Sequence, residues 1–145
     1  GRLGTDGAAA ALIAAANQRT GAERAAVFAG MGTCRRAVVA DFLAKTLATT
    51  VLEKEQLALV KSLSMIGNEW ALETPAGAPV RAEVPQLRAA AAGALVKLFS
   101  ESQGNVRQQA SDAILIVNAP ETKVLLAQVR VKDPAAGDAL LLKTH

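Results

Sequence analysis

Leu87–Leu98 reads LRAAAAGALVKL and Val106–Val117 reads VRQQASDAILIV, so the chain states one pattern twice. At a constant shift of 19 residues, Leu87, Arg88, Ala91, Ala94, Leu95 and Leu98 fall on Val106, Arg107, Ala110, Ala113, Ile114 and Val117. The apolar residues recur at spacings of three and four, the period of one helix face. Nineteen residues is one helix plus a turn, which makes the two stretches consecutive helices. Any two amphipathic helices rich in Ala and Leu agree at several positions, but the arginine after the first apolar residue exceeds that period. A fainter copy lies 32 residues before the Arg88 copy, at Gln56, Leu59, Ser62-Leu63 and Ile66. The faintest lies at Arg24, Val27, Gly30-Met31 and Cys34, and these two share mainly the hydrophobic period.

Outward from this pair, helical periodicity covers most of the chain, and strand alternation is nowhere sustained. The expected helices run over about 6–17, 22–32, 34–49, 53–72, 85–100, 105–118 and 120–132. Residues 73–84 form a loop, because Thr74-Pro75-Ala76-Gly77-Ala78-Pro79 removes helix donors and frees the backbone. Asp6 caps the first helix, Pro85 opens the fifth at the favoured first-turn position, and Thr49-Thr50-Val51 crowds the end of the third. Val38, Phe42 and Leu43 are expected on one face of the third helix, and Leu57, Leu59, Val60, Leu63 and Ile66 on the core face of the fourth. Gly67 is a weak point there, costing about 1 kcal/mol against Ala. Ala139–Leu142 is a candidate for a last short helix.

The 145 residues suffice for a single domain with one core, burying roughly two thirds of the unfolded surface. Hydrophobic residues make up 51% of the chain but aromatics only 3%, so Ala, Leu, Val and Ile must fill that core. Alanine runs also favour helix and let helix axes approach closely. The expectation is a single all-α domain, residues 1–145. No run of about 18 uninterrupted apolar residues is present, which argues against a membrane partner. The single cysteine, Cys34, excludes an internal disulfide framework and a cysteine-based zinc site. A cytoplasmic protein is expected, although a first residue Gly rather than Met leaves open a removed leader or neighbouring domain.

An apolar residue followed by Arg, then small residues and a Leu or Ile, resembles the second helix of a HEAT repeat. The resemblance to the HEAT-like and armadillo-like helical repeat family covers roughly Ala22 to Val131. It is specific over Leu87–Leu98 and Val106–Val117. The spacings of 32, 32 and 19 residues depart from a regular array, so the two best copies cannot both occupy their usual place in a helix pair. The resemblance implies a right-handed α-solenoid-like stack of about six to eight antiparallel helices. Such helix pairs cannot bury their apolar faces alone, and the curved array typically binds another protein. The implied function is that of a non-catalytic scaffold or adaptor, with the partner's identity, the oligomeric state and membership of a longer array left open.

Residues that carry chemistry are sparse. The one histidine, His145, is the last residue and poorly placed as a general base. Arg35 and Arg36 would lower the pKa of Cys34, but a small buried residue at a helix junction is the better reading. Gly30-Met31-Gly32-Thr33 lacks the context of a dinucleotide fingerprint or P-loop and reads as a helix-ending turn in which glycine turns left-handed. Glu53 and Glu55 diverge on a helix and read as solvated. No catalytic residue, cofactor or metal site is expected. The net charge of +3 permits nucleic acid as an alternative partner. Arg88, Arg107, Lys123 and Arg130 are the candidate basic face for it. Against that, Arg88 and Arg107 equally suit packing between helices, bonded to helix ends or acidic neighbours.

Overall fold

The computed structural model describes residues 6–32, 36–67, 84–117, 119–135 and 140. Those residues form seven helices and no strand: α1 (Asp6–Gln18), α2 (Gly21–Met31), α3 (Ala37–Thr49), α4 (Glu53–Gly67), α5 (Val84–Glu101), α6 (Gly104–Val117) and α7 (Thr122–Lys132). The expected helices are all present, with ends moved by a few residues. α3 starts at Ala37 rather than Cys34, since Arg36 is its extended N-cap residue. α7 starts at Thr122 rather than Pro120, because Pro120 and Glu121 form a turn closed by Thr122 N–H donating to the Ala119 carbonyl at 3.0 Å. The expected extension of α4 to residue 72 and the loop 73–84, up to residue 83, lie outside the described residues, as do Cys34, Trp70 and His145. Of the candidate last helix only Leu140 is described, and it is helical and buried.

The connections α1–α2, α3–α4 and α5–α6 are two or three residues long, which makes each pair antiparallel. The α3–α4 corner is held by its threonines. Thr46 Oγ1 donates to the Phe42 carbonyl, while Thr49 Oγ1 (3.2 Å) and Thr50 Oγ1 (2.7 Å) both donate to the Thr46 carbonyl. The Thr46 carbonyl lies in the last turn of α3, where intrahelical donors run out, and the two hydroxyls supply them. Gln56 then reaches back from α4 to the Thr50 carbonyl at 3.0 Å.

Packing follows a rule of alternation. α3 lies against α1 and α5, and α5 against α7; α4 lies against α2 and α6. Each helix also meets its antiparallel partner, α1 with α2, α3 with α4 and α5 with α6, while α4 touches α5 as well. Between them the side chains of Phe28, Leu43, Leu63, Leu87, Leu95 and Ile114 are fully buried. The twice-stated pattern is the buried face of its two helices. Leu87, Ala91, Leu95 and Leu98 are buried in α5, and Val106, Ala110, Ala113, Ile114 and Val117 in α6; Ala94 and the two arginines are half-buried.

Helices come closest where side chains are smallest. A Cβ added to Gly32 would stand 3.0 Å from the Ser62 Cα, and the buried Ser62 hydroxyl donates to the Phe28 carbonyl across the same α2–α4 contact. Gly32 has φ −61°, so its value lies in that close approach and not in the left-handed turn expected of it. Among the described residues the left-handed glycine is Gly104, at φ +61°, where the chain turns into α6. At Gly67 a Cβ would stand 3.0 Å from both Ala91 Cβ and Val117 Cγ2 and 3.1 Å from Val117 Cγ1. Two methyl groups of one buried valine cannot both rotate away, so the helix weak point is a packing requirement.

These contacts separate two glycines that helix propensity treats alike. Gly67→Ala is expected to lose stability by about 1 kcal/mol, as overpacking of about 1–3 kcal/mol outweighs the propensity gain. Gly93→Ala, within α5 and with nothing within 4 Å of the added Cβ, is expected to gain about 1 kcal/mol. Urea unfolding of the two variants checks this through opposite shifts of the midpoint.

Candidate functional site

The structure divides the four candidate cations. Arg88, near the start of α5, donates from Nη2 to the carbonyl of Val117, the last residue of α6, at 3.2 Å. A guanidinium there satisfies a carbonyl without an intrahelical partner and complements the negative end of the helix dipole. Arg107, near the start of α6, lies over the Phe99 ring at 4.7 Å and pairs with Asp133 Oδ2 at 3.0 Å. In an antiparallel hairpin the matched arginines thus each meet the far end of the other helix. They sit about 15 Å apart along its axis, from the ten residues between Arg107 and Val117. Lys123 and Arg130 are exposed on α7, seven residues apart and therefore on one side of it.

A third arginine uses the same chemistry. Arg24 of α2 lies over Phe28 at 5.0 Å, and its Nε stands 3.5 Å from Glu55 Oε1 at the start of α4. Glu55 is therefore buried, 5% exposed, while Glu53 is exposed; the pair diverges as expected, but only one of the two is solvated. The cation brought across from α2 is what lets a carboxylate enter that contact. Among the described residues no group of three or more His, Cys, Asp or Glu side chains could hold a metal ion, and no helix is long and apolar enough to cross a membrane.

An open concavity lies elsewhere. α3 carries two stripes of apolar residues: Val39, Leu43 and Leu47 are buried, whereas Val38 is 51% exposed and Phe42 half-buried. Val38 and Phe42 therefore do not share the face of Leu43. They floor a groove of about 560 Å³, walled by Ile13 of α1 and rimmed by Arg36, Asp41, Lys45 and Gln86. It adjoins a hollow of about 500 Å³ along Ala10, Ile13, Ala14 and Val38. The groove exists because α1 meets α3 over far less of its length than α5 does. Gln86, opening α5, donates from Nε2 to Asp41 Oδ2 at 3.2 Å and closes the far edge.

Sequence periodicity placed Val38 and Phe42 on one face with Leu43 and left this groove unseen. The available signal was that α3 has more apolar positions than one stripe can use. The fold and site together define an all-α chain with an apolar-floored groove and cations engaged in helix packing. No protein-family model, curated protein or solved structure matches it.

Arg107→Ala should lower stability by about 1 kcal/mol, from the ring contact and a half-exposed ion pair. Lys123→Ala should change it by less than about 0.5 kcal/mol. Thermal unfolding reads the difference as a fall of roughly 2–4 °C for the first variant alone.

Proposed function

We propose that the chain is a non-catalytic protein–protein interaction module, a scaffold or adaptor built as a HEAT-like, right-handed stack of helix pairs. The observation that carries this reading is the alternation of contacts, α1 to α3 to α5 to α7 and α2 to α4 to α6. Antiparallel pairs that pack only on their neighbours lay one set of helices beside another, and each outer surface is then available to a partner. In this arrangement α5 and α6 belong to opposite sets, which accounts for a shift of 19 residues where stacked equivalents would lie further apart. Two of the candidate side chains, Arg88 and Arg107, already bond within the chain, Arg88 to the end of α6 and Arg107 to Asp133 beyond α7.

A nucleic-acid-binding surface is the second reading, supported by Lys123 and Arg130 exposed on one side of α7. It asks those two residues to neutralise phosphates, and binding would then fall steeply with salt. The two readings part in an affinity pull-down from lysate of the native organism, at low and high salt and after nuclease. Protein capture that withstands both treatments is expected. Recovery of nucleic acid that vanishes at high salt would sink the adaptor reading in favour of the basic surface.

A further inference from the structure

We propose that the groove between α1 and α3 seats an amphipathic helix of a partner protein, apolar where it enters and acidic along its flank. This rests on the interaction-module reading and names the surface and the partner's chemistry. Val38, Phe42 and Lys45 follow one another at helical spacing along the outward side of α3, so the groove runs two turns, with Val38 and Phe42 as its apolar floor and Lys45 one turn further on. From Ala37 to Lys45 it extends about 12 Å, the rise of eight helical residues. That length accepts partner residues spaced i, i+3 or i+4, and i+7, the anchors of a helix lying in a groove. Ala10 and Ala14 on the α1 wall are exposed and small, so a helix backbone can come close on that side.

Charge selects the flank. Asp41, the one carboxylate of the rim among the described residues, accepts a hydrogen bond from Gln86. Lys45 is exposed at one end, has no ion pair among the described residues, and stands beyond the apolar floor. Arg36, itself engaged within the chain, lies at the other end, so Lys45 is the cation that meets an entering helix. An entering helix with carboxylates beside its apolar stripe meets Lys45 favourably, whereas a lysine-flanked one meets like charge.

The test uses the chain as it stands and two synthetic helical peptides of about 15 residues, with identical leucine anchors and either glutamate or lysine flanks. Fluorescence anisotropy should show tighter binding of the glutamate peptide. Val38→Asp should weaken it on the order of tenfold, the loss of one apolar anchor. Lys45→Glu should reverse the order of the two peptides. Ala14→Arg, which obstructs the groove from its other wall and keeps a good helix former, should weaken both. Val124→Asp on α7, at a site 63% exposed, should leave binding unchanged. The altered positions are partly or wholly exposed, and circular dichroism checks that each variant folds.

Absence of binding by either peptide, or equal loss with Val124→Asp, overturns the groove as the seat. Equal affinity for both peptides overturns the acidic partner. A chain that dimerises in sedimentation and becomes monomeric with Val38→Asp makes a second copy the occupant and overturns it too. The module reading fails separately, when the chain captures no protein that withstands nuclease and high salt. Capture that persists in Val38→Asp while peptide binding is lacking leaves that reading standing without the groove.

Discussion

Helices α2, α4, α5 and α6 meet at points where there is no room for one more carbon. Gly32 lies against the Ser62 backbone, and Gly67 lies against Ala91 and Val117. With aromatics at 3% of the chain, few large side chains are available to span a wide interhelical gap. Close approach is what remains, because leucine, valine and alanine fill the space between axes only when those axes are near. The burial of Leu59, Leu63 and Ile66 along α4 follows from it. So does the Ser62 hydroxyl's bond to the Phe28 carbonyl, which ties α4 to α2 where no longer side chain would fit.

The arginines solve a second problem created by this compactness. Helices with short connections bring their unsatisfied ends to the edge of the core. Arg88 answers the end of α6, and Arg107 stacks on Phe99 at the end of α5 and reaches Asp133 beyond α7. Arg24 does the same for α2 and α4 through Phe28 and Glu55. A long side chain with an apolar stem and a planar cation suits this place, since it packs along a helix and still bonds at the rim. The positive charge of the chain is thus partly a structural material, and its size is a poor guide to an anionic partner.

What is left for recognition is set by where packing is incomplete. α3 meets α5 over more of its length than it meets α1, so Val38 and Phe42 stay accessible beside Lys45. Val124 and Val131 on α7 are exposed as well, as single apolar side chains on a folded surface commonly are. A groove with walls restricts the orientation of what enters; a bare helix face does not.

Seven helices, their approximate bounds and the buried faces of α5 and α6 were legible in the chain alone, because a 3.6-residue period and Pro, Gly and Thr punctuation are local properties. The recurrence of Arg88 and Arg107 was legible too, with a structural use among its readings. Local pattern could not say that Glu55 is buried, since its partner Arg24 is 31 residues away and on another helix. Nor could it say which of α3's two apolar stripes is covered: Val38 and Val39 are chemically identical, and only the positions of α1 and α5 leave one open and the other sealed. Gly32 and Gly67 carry the same lesson, for a glycine's sequence reveals its backbone freedom, whereas the neighbour that forbids a Cβ arrives from a different helix. The sequence by itself determined the helices and their apolar faces, whose causes lie within a few residues. Tertiary structure alone decided the groove and the buried ion pair, because both arise from helices distant in the chain meeting side by side.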